Sequence, residues 1–413
     1  MEKLYEEQPY IKEFDAKVLT CQPGKNDLYL IALDRTGFYP EGGGQPFDTG
    51  ILRQNRDKGE AGQGSESTLL EGQRPESTLA DVRVVEVHEK DGQILHYTDG
   101  ELAPGTWVHG VIDWERRRRH MEHHTGEHIY SGLVHRHFGY DNVGFHMGQD
   151  MVTIDFNGIL TMEQAMELEE EANSLVRANI PVEAWYPSSE ELHNLDYRSK
   201  KELTGPVRIV RISGGDICAC CGTHVKYTGE VGIIKITGLK KYKSGVRLDM
   251  LCGDRALRDY QKKQDQVMRI SNLLSAKQGE TAEAVEKLKA ESAALKQQIG
   301  QLYQQIFTLR CSKLPEREGP LLVFEEELPP AQLRQFCILL CQEKKGSPVL
   351  ACSGRDTEYY YVLGSRGESV ELYTKKLNGL LHGKGSGKGP MAQGMIAADR
   401  EEIEKVWHEE LWR

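Results

Sequence analysis

Residues 121–130 read MEHHTGEHIY, and the spacing of their histidines raises the main question about this sequence. Asp113 can cap a helix that begins at WERRRRH and continues through this stretch, because its carboxylate can accept from the free amides of the first turn. His120, His124 and His128 are four residues apart, so they share one face of that helix. Two such imidazoles can bind one metal ion, although paired histidines on a helix are also common as core or surface residues. The helix alone therefore predicts half of a site.

A second candidate half lies further along the chain, in Cys220-Cys221-Gly222-Thr223-His224. This C-x-x-x-H unit follows a strand-like run and a Gly-Gly turn. Zinc favours tetrahedral sets of sulfur and nitrogen ligands. Two helical histidines together with Cys220 and His224 would complete such a set, so the sequence predicts a metal site with Zn²⁺ as its cofactor.

The helix also contains the pattern H-x-x-E-H at His124–His128, which is the spacing of one class of zinc peptidase. In that interpretation Glu127 would activate a zinc-bound water, and a distant carboxylate would be the third protein ligand. It leaves Cys220 and His224 without a role, and a glutamate beside a histidine pair is common by chance. An inverzincin-like metallopeptidase is therefore the alternative rather than the leading hypothesis.

The bulk composition is that of a soluble, multidomain, cytoplasmic protein. The chain has 413 residues, of which 28% are charged and 8% aromatic. No apolar run approaches the roughly 20 residues that cross a bilayer, and the acidic N-terminus MEKLYEEQPYIKEF is not a signal peptide. Nine cysteines, three of them in CACC, suggest metal or redox chemistry rather than disulfides. The net charge of −11 argues against indiscriminate nucleic-acid binding but allows a local basic groove.

Overall, the pattern predicts an α+β multidomain chain that begins with a small β-barrel at residues 1–111. The runs AKVLTC and LYLIALD are typical of strands, and FYPEGGGQPFDTG contains too many Gly and Pro residues for a regular element. Residues 51–80 are polar and without pattern, as in an exposed insertion. ADVRVVEVHEKDGQILHYTDG predicts a hairpin that turns at Asp91-Gly92.

Residues 112–253 predict an α+β zinc-binding domain with helices on a mainly antiparallel sheet. HMGQDMVTIDFN is interpreted as one strand, and VRIVRI, VGIIKIT and VRLDML as later strands. Thr161 opens a second helix, TMEQAMELEEEANSLVRAN, whose apolar residues have helical spacing.

Residues 254–311 have an almost wholly helical composition, and their apolar seam from Val285 to Leu309 alternates three- and four-residue steps. Gly279 interrupts the pattern and Thr281 can cap the helix that follows. A helical hairpin and a dimeric coiled coil are both compatible with this spacing. Residues 312–413 predict a small α/β domain, in which LLVFEEE, PVLACSG and YYYVLGS are strands and Ala331–Glu343 and Ala397–Trp412 are helices.

Four motifs occur in an order that resembles one known family: FYPEGGGQPFDTG (38–50), HTGEH (124–128), MVTIDF (151–156) and CCGTHV (220–225). They resemble the editing domain of alanyl-tRNA synthetases and the free-standing alanyl-tRNA editing proteins of the AlaX type. GKGSGKGPMAQG (383–394) resembles the glycine-rich loop of the C-terminal alanyl-synthetase domain, related to the DHHA1 module. Together with the helical segment 254–311, this motif resembles the long form of the editing protein.

The resemblance implies trans-editing. In this reaction the ester between amino acid and ribose is hydrolysed in tRNA(Ala) that carries serine or glycine by mistake. Motif by motif, it implies that His124, His128, Cys220 and His224 are the zinc ligands and that His120 is spare. It leaves open whether zinc activates a water or only positions the substrate. Because the sequence starts directly at the editing motifs, we expect no site for charging tRNA.

Several residues are candidates for contact with the substrate. The glycines of the 42–45 turn would let backbone N–H groups approach the ester or the terminal adenosine. Selecting serine over alanine requires a hydrogen bond to the serine hydroxyl. The predicted catalytic residues are His146, Gln45 and Thr125, and the predicted substrate-binding residues around them are Gly42, Gly43, Gly44 and Thr49.

Basic residues provide candidate contacts to the tRNA backbone. Arg116 and Arg117, in the run ahead of the ligand histidines, could meet phosphates near the acceptor end. Lys384 and Lys388, set between glycines, suit the same role in the C-terminal module, and KKYK (240–243) forms another basic patch. No membrane partner is expected, and a homodimer could form through the helical region or the C-terminal domain. A non-catalytic tRNA-binding protein with a structural zinc is a further alternative.

Overall fold

The computed structural model describes most of the chain, namely residues 1–55, 81–148, 151–199, 205–317, 319–343 and 345–411. The chain divides into two compact units, Met1–Gln266 and Val267–Arg413. The insertion predicted at 51–80 lies almost wholly outside the described residues.

The first unit begins with a closed barrel, as the sequence predicts. The elements of this part of the chain are, in order, β1 (Glu2–Lys3), α1 (Leu4–Glu7), β2 (Glu13–Pro23), β3 (Tyr29–Leu33), β4 (Arg35–Thr36), β5 (Gly50–Gln54), β6 (Val82–Lys90), β7 (Gln93–Thr98) and β8 (Trp107–Ile112). The barrel order is β2-β3-β7-β6-β5-β8, and β8 pairs with β2 to close it. The hairpin turn falls at Asp91-Gly92 as predicted, and both residues have the positive φ that a tight hairpin turn requires.

An α+β region follows the barrel within the first unit. Its elements are α2 (Trp114–Phe138), β9 (Asn142–Met147), β10 (Val152–Phe156), α3 (Met162–Arg177), β11 (Val182–Trp185), α4 (Ser189–Asn194), β12 (Ile209–Ile212), β13 (Asp216–Ala219), a 3₁₀ turn (Thr228–Val231), β14 (Ile234–Tyr242) and β15 (Gly245–Cys252). Strands β14-β15-β10-β9 form one antiparallel sheet and β11-β12-β13 another. Apolar residues of α2 and α3 share one core with the four-stranded sheet.

Both predicted helix starts in this region are confirmed. The Asp113 carboxylate accepts from the amide of Arg116 at 3.1 Å, and Thr161 forms a reciprocal capping box with Gln164. The single strand predicted for HMGQDMVTIDFN is wrong, because the chain folds back between β9 and β10. Folding back places Met147 opposite Val152, so that apolar residues of both strands face one core.

Two long helices follow, α5 (Gly253–Leu274) and α6 (Thr281–Lys313), with a 3₁₀ turn at Gln278–Glu280 between them. Thr281 does not cap α6 as predicted: it is already helical, and its hydroxyl donates to the Gln278 carbonyl at 3.2 Å. The apolar seam of α6 is exposed in the described chain, at Val285, Leu288, Leu295, Ile299, Leu302, Ile306 and Leu309. Among the described helices, none has the length and apolar character that a membrane span requires.

The second unit ends in a small α/β fold. Its elements are β16 (Leu321–Glu325), α7 (Pro330–Gln342), β17 (Val349–Arg355), β18 (Glu358–Gly364), α8 (Glu371–Leu380), β19 (Lys384–Lys388), β20 (Met391–Ala397) and α9 (Arg400–Lys405), followed by a π turn at Val406–Glu410. They form one mixed sheet of order β16-β17-β18-β20-β19. Within this unit α6 packs on α7, where the rings of Phe307 and Phe336 stack with centroids 4.8 Å apart.

Two predictions for this unit need correction. GKGSGKGPMAQG is not a loop but an antiparallel hairpin, in which β19 is an edge strand paired with β20. The last helix begins at Arg400 rather than Ala397, because Ala397 is still paired with Glu358 in the sheet. Trp412, the predicted helix end, lies outside the described residues.

Candidate metal centre

Four side chains from helix α2 and from the loop after β13 meet in one cluster: His124, His128, Cys220 and His224. Their ligand atoms all lie within 4.8 Å of one another. Cys220 Sγ is 3.4 Å from Nε2 of His124 and 3.4 Å from Nε2 of His224. The imidazoles are buried and the cysteine is partly exposed. One sulfur and three nitrogens suit four-coordinate zinc in both the type and the number of donor atoms.

The two halves of the cluster are positioned by different means. Helix α2 presents His124 and His128 one turn apart on one face. The loop approaches that helix closely at Gly222, where an added Cβ would lie 2.1 Å from His124 Cε1. Only glycine fits at this position. Arg208 fixes the loop by donating from Nη1 to the carbonyls of Cys220 and Gly222, both at 3.0 Å.

Each imidazole of the cluster is also held through its other ring nitrogen, Nδ1. The three contacts are His124 Nδ1 to Gln45 Oε1 at 2.9 Å, His128 Nδ1 to Asp216 Oδ2 at 2.9 Å, and His224 Nδ1 to Thr125 Oγ1 at 3.2 Å. When Nδ1–H donates to such an oxygen, Nε2 keeps a free lone pair, which is the form a metal ion binds. The surroundings therefore fix both the orientation and the tautomer of the rings.

The charges in the cluster also suit a cation. Burial raises the pKa of the Cys220 thiol, but the neighbouring imidazoles outweigh it and hold that pKa well below its usual range. Burial lowers the pKa of His128, yet the Cys220 thiolate and Asp216 raise it to about 10. Burial, then the charge of His124, lowers the pKa of His224 to about 3. Without a cation the cluster therefore favours a thiolate at Cys220 and a protonated ring at His128, and a bound metal ion would displace the His128 proton.

Two of the predicted catalytic residues lie behind the ligand rings. Gln45 is fully buried, and besides its contact to His124 it donates to Thr223 Oγ1 at 2.9 Å. Thr125 is fully buried too, and its oxygen accepts from the amide of Val225 at 3.2 Å. Neither side chain has a surface that a substrate could touch. Their geometry is that of supports for the candidate metal ligands, and direct action on the substrate stays a prediction.

His146, the third predicted catalytic residue, points away from the cluster. Successive side chains of a strand face opposite sides of the sheet. On β9 the side that faces α2 carries Phe145, whose ring stacks on His124 with centroids 5.4 Å apart. His146 is exposed on the other side, opposite Thr153 of β10. His146 is therefore not part of the cluster and its catalytic role stays a prediction, whereas Phe145 is the residue that β9 directs at the site.

The glycine-rich turn lies beside Phe145. Gly42 and Gln45 exchange two backbone hydrogen bonds, of 3.1 and 2.9 Å, which close the turn. Gly44 has a φ of +86°, and an added Cβ would lie 2.5 Å from the carbonyl oxygen of Phe145. In the described part of the chain the amides of Gly43 and Gly44 have no hydrogen-bond acceptor. These amides can therefore bind a ligand, as the sequence predicts for this turn.

Thr49, Arg116 and Arg117 join the glycine-rich segment to helix α2. The carbonyl of Thr49 accepts from the Asp113 amide at 2.8 Å, and Arg116 Nε donates to the Phe47 carbonyl at 3.0 Å. Arg117 is fully buried, and its Nε donates to Asp48 at 2.8 Å. A buried guanidinium bound to a carboxylate has no surface for a phosphate, so the predicted tRNA contact by Arg117 is wrong.

The lysines predicted to contact tRNA are exposed in both units. Lys384 and Lys388 are exposed on edge strand β19 of the second unit. Their positions differ by four, so both side chains project from the same side of the strand. In the first unit, KKYK (240–243) lies at the tip of the β14–β15 hairpin, where Lys240, Lys241 and Lys243 are exposed.

The geometry does not suit the peptidase alternative. Glu127 is fully buried and accepts from Ser131 Oγ at 2.6 Å and from Asn142, and it does not belong to the four-residue cluster. That cluster contains no carboxylate. His120 also lies outside it, and burial, then the charge of Arg116, lowers the His120 pKa to about 2.

Sequence reasoning missed the residues that support the ligands from outside the motifs. Asp216 holds His128, Arg198 pairs with Asp216, and Arg208 holds the cysteine loop. The sequence contains one signal for them, since Asp216 precedes Cys220 by four residues in a strand that ends at the ligand loop. Nothing local indicates Arg198 or Arg208, because their contacts depend on how the strands pair.

Several known proteins are similar to this chain. The family described as "Threonyl and Alanyl tRNA synthetase second additional domain" matches residues 207–271, which contain Cys220 and His224. The alanyl-tRNA editing protein AlaX-L of Pyrococcus horikoshii is 29% identical over 431 residues, covering 100% of this chain and 98% of that protein. The mouse alanyl-tRNA editing protein Aarsd1 is 26% identical and covers 95% of this chain and 93% of its own length.

Longer proteins match as well. The alanine–tRNA ligase of Pyrococcus furiosus is 30% identical over 424 residues, which cover 98% of this chain. The chain spans only 43% of the length of that ligase. Among solved structures, the C-Ala domain of Aquifex aeolicus alanyl-tRNA synthetase matches 22% of this chain at 25% identity, with a TM-score of 0.20.

Proposed function

Because the chain belongs to the alanyl-tRNA editing proteins of the AlaX type, we propose that it hydrolyses the ester bond between amino acid and ribose in tRNA(Ala) mischarged with serine, and also with glycine. In this proposal a zinc ion is held by His124, His128, Cys220 and His224. The substrates and the metal are proposals that rest on the site and on the names of the relatives. The alanine–tRNA ligases share the same region but are more than twice as long as the stretch they share.

The observation that carries the proposal is the meeting of two motifs that are far apart in the sequence. HTGEH on α2 and CCGTH after β13 come together as one sulfur and three nitrogen donors. The glycine-rich turn of the barrel joins the same place, since Gln45 contacts both His124 and Thr223. A turn with free amides beside a candidate metal centre could bind and orient an ester, and this arrangement supports the proposed hydrolysis.

An aminoacyl ester is already activated, so its hydrolysis needs a placed water, a polarised carbonyl and a selective pocket. When bound, zinc would supply a positive charge that orients the substrate or a water. The protein's own contribution is rigidity, because Gln45, Asp216 and Thr125 each fix one ligand ring. Rings fixed in this way do not need to reorganise when the substrate arrives.

Substrate recognition falls to the turn and to β9 in this proposal. The amides of Gly43 and Gly44 would donate to the ester or to the hydroxyl of a seryl group. A site built to hydrogen-bond that hydroxyl favours serine over alanine, because the amides would stay unpaired beside a methyl group; this contact concerns serine and not glycine, which also lacks the hydroxyl. Phe145 forms an apolar wall between this turn and His124.

Binding of the tRNA body would involve the exposed lysines of the second unit. Lys384 and Lys388 project from one side of β19 at a separation of about 13 Å, since a strand advances about 3.3 Å per residue. Point charges at such spacing suit contacts to the phosphate backbone, which carry affinity without sequence preference.

We also propose a homodimer in which the exposed seam of α6 packs on the same seam of a second copy. Seven large apolar residues on one 33-residue helix exceed what an isolated surface helix normally exposes. Their three- and four-residue spacing is that of a coiled-coil interface. Sedimentation should show a dimer for the parent protein and a monomer for Leu295→Glu with Leu302→Glu. A monomeric parent would contradict the dimer without affecting the proposed hydrolysis.

One assay tests the proposed reaction. Purified protein is incubated with Ser-tRNA(Ala), Gly-tRNA(Ala) and Ala-tRNA(Ala), and deacylation is followed against a protein-free control. We expect rapid loss of the seryl ester, loss of the glycyl ester, and preservation of the alanyl ester. Binding of tRNA with the seryl ester left intact would instead show a tRNA-binding protein with a structural metal, and the proposed activity would be wrong.

A further inference from the structure

Two possible metal-binding sets overlap at His128. The first is the four-residue cluster, and the second consists of His128, Asp216 and Cys218, whose ligand atoms also lie within 4.8 Å of one another. All three residues of the second set are buried. His128 can serve only one set at a time, because a neutral imidazole has one nitrogen lone pair, and in this structure Nδ1 faces Asp216 of the second set. Something in the fold must therefore decide which set binds the cation.

Arg198 binds the carboxylate of Asp216, the only carboxylate of the second set. Its Nε donates to Asp216 Oδ1 at 2.8 Å and its Nη2 donates to Oδ2 at 2.7 Å, so one guanidinium engages both oxygens. The pair is poorly accessible, since the side chains of Arg198 and Asp216 are 12% and 2% exposed. A bidentate guanidinium fixes the plane of the carboxylate as well as its position.

This contact determines what Asp216 can do. Oδ2 accepts from both Arg198 and His128, whereas Oδ1 accepts from Arg198. Both lone pairs of Oδ2 are thereby used, the positive guanidinium beside Oδ1 opposes binding of a cation there, and Oδ2 is placed to accept from Nδ1–H. His128 is thereby directed to use Nε2, the nitrogen that the four-residue set requires.

We propose that Arg198 is a positioning residue that assigns His128 to the four-residue metal set by occupying Asp216. The inference deepens the proposed function, because it concerns the same centre. It concerns metal binding, however, and its test does not depend on whether the protein hydrolyses Ser-tRNA(Ala).

The structure offers a matched control. Arg211 lines the same surface cavity of about 610 Å³ as Arg198 and Asp216. It lies on β12 and pairs with Glu183, not with Asp216. Arg198→Met and Arg211→Met remove the same charge from the same cavity, but only the first change frees Asp216.

The experiment measures zinc affinity of the full-length, metal-stripped protein by competition with a chromogenic chelator. We expect Arg198→Met to weaken zinc binding by roughly 10- to 100-fold, the usual cost of losing a residue that orients a metal ligand. Arg198→Lys should recover part of the affinity, because one ammonium restores the charge but cannot occupy both oxygens. Arg211→Met should bind zinc like the parent protein.

A cobalt(II) titration gives a second readout that general destabilisation would not reproduce. The visible absorption of Arg198→Met should differ from that of the parent, because His128 and Asp216 can then bind cobalt in the second set. Arg211→Met should show the parent spectrum. Parental zinc affinity and spectrum in Arg198→Met would overturn the proposal.

If Arg198→Met fails to fold, as judged by circular dichroism of the metal-free protein, Arg198→Lys decides alone. Weaker zinc binding by the folded lysine variant supports the proposal, and unchanged binding contradicts it. A parent protein that binds zinc but leaves Ser-tRNA(Ala) intact would overturn the proposed reaction while leaving the role of Arg198 to be judged by these titrations.

Discussion

Two glycine-rich segments of this protein have similar compositions and opposite structures. In the first unit, GGGQPFDT (42–49) is a closed turn whose polar side chains Gln45 and Asp48 are fully buried. In the second unit, GKGSGKG (383–389) is largely an edge strand whose Lys384 and Lys388 are exposed. The first segment serves the interior, where it holds a metal ligand and the start of α2. The second presents charge to solvent.

The contrast shows that composition does not reveal which way polar residues face. Glycine in the first segment lets the backbone approach β9, since Gly44 lies against the carbonyl of Phe145. Glycine in the second segment alternates with the exposed residues and faces the neighbouring strand, β20. Changes in the first segment should therefore act on metal binding, and changes in the second on tRNA alone.

The largest effect should come from the metal centre that the first segment supports. Cys220→Ala removes the sulfur donor, and we expect loss of bound zinc and a decrease in Ser-tRNA(Ala) deacylation of more than about a hundredfold, beyond the cost of losing a supporting residue. Elemental analysis and the deacylation rate measure this. Cys221→Ala is the matched control, because its thiol is exposed and outside the cluster. Full activity in Cys220→Ala would favour a centre with other ligands.

Zinc affinity should also depend strongly on pH. The pKa of His128 is raised to about 10, so this ring keeps its proton in the metal-free protein throughout pH 6–8. Cys220 contributes no proton, because its pKa is held well below the usual range. Zinc thus displaces at least the His128 proton, and its affinity should rise by at least about tenfold per pH unit between pH 6 and pH 8.

Chelator competition at several pH values measures this slope. A slope near zero would mean that His128 is neutral in the metal-free protein and would contradict this prediction. The stability of the metal-free fold has the opposite pH dependence. Because the folded state raises the pKa of His128, this ring stabilises the metal-free fold fully below about pH 6.5, and the contribution is lost as the pH rises through about 10.

Features that depend on neighbours in the sequence were predictable. The caps at Asp113 and Thr161 and the hairpin turn at Asp91-Gly92 require only a few adjacent residues, and all three are confirmed. Thr281 shows the limit, because the preceding 3₁₀ turn competes for its hydroxyl. The β9–β10 hairpin was missed because an apolar run does not show where the chain reverses.

At the site, motif spacing predicted which four residues form the cluster but not which side chains support them. The four donors follow from HTGEH and CCGTH, whereas the roles of Gln45, Arg117 and Asp216 depend on contacts distant in sequence. Arg117 and Asp48, for example, are 69 residues apart. A run of arginines is normally solvated, and only the packing of the barrel against α2 shows that one of them is buried.

A smaller effect is expected when one support in the first segment is removed. Gln45→Ala leaves His124 Nδ1 without its partner, so zinc affinity should fall by roughly 10- to 100-fold while the ligands remain. Gln393→Ala is the control from the strand that pairs with the second segment, because Gln393 is exposed on β20, opposite Ser386. Chelator competition should show parental affinity for Gln393→Ala. Equal losses in both variants would contradict the distinction between the two segments.

The smallest and most selective effect belongs to the second segment. Lys384→Gln with Lys388→Gln should weaken tRNA binding about tenfold and reduce the slope of log affinity against log salt by about two, one for each phosphate contact. Zinc affinity and cleavage of a small seryl ester should not change, because neither lysine touches the metal cluster. Lys375→Gln with Lys405→Gln removes the same charge from exposed positions of the same unit, where the lysines pair with Glu371 and Glu410. If that control weakens tRNA binding equally and flattens the salt dependence equally, the effect comes from net charge, and β19 is not the surface that binds the tRNA.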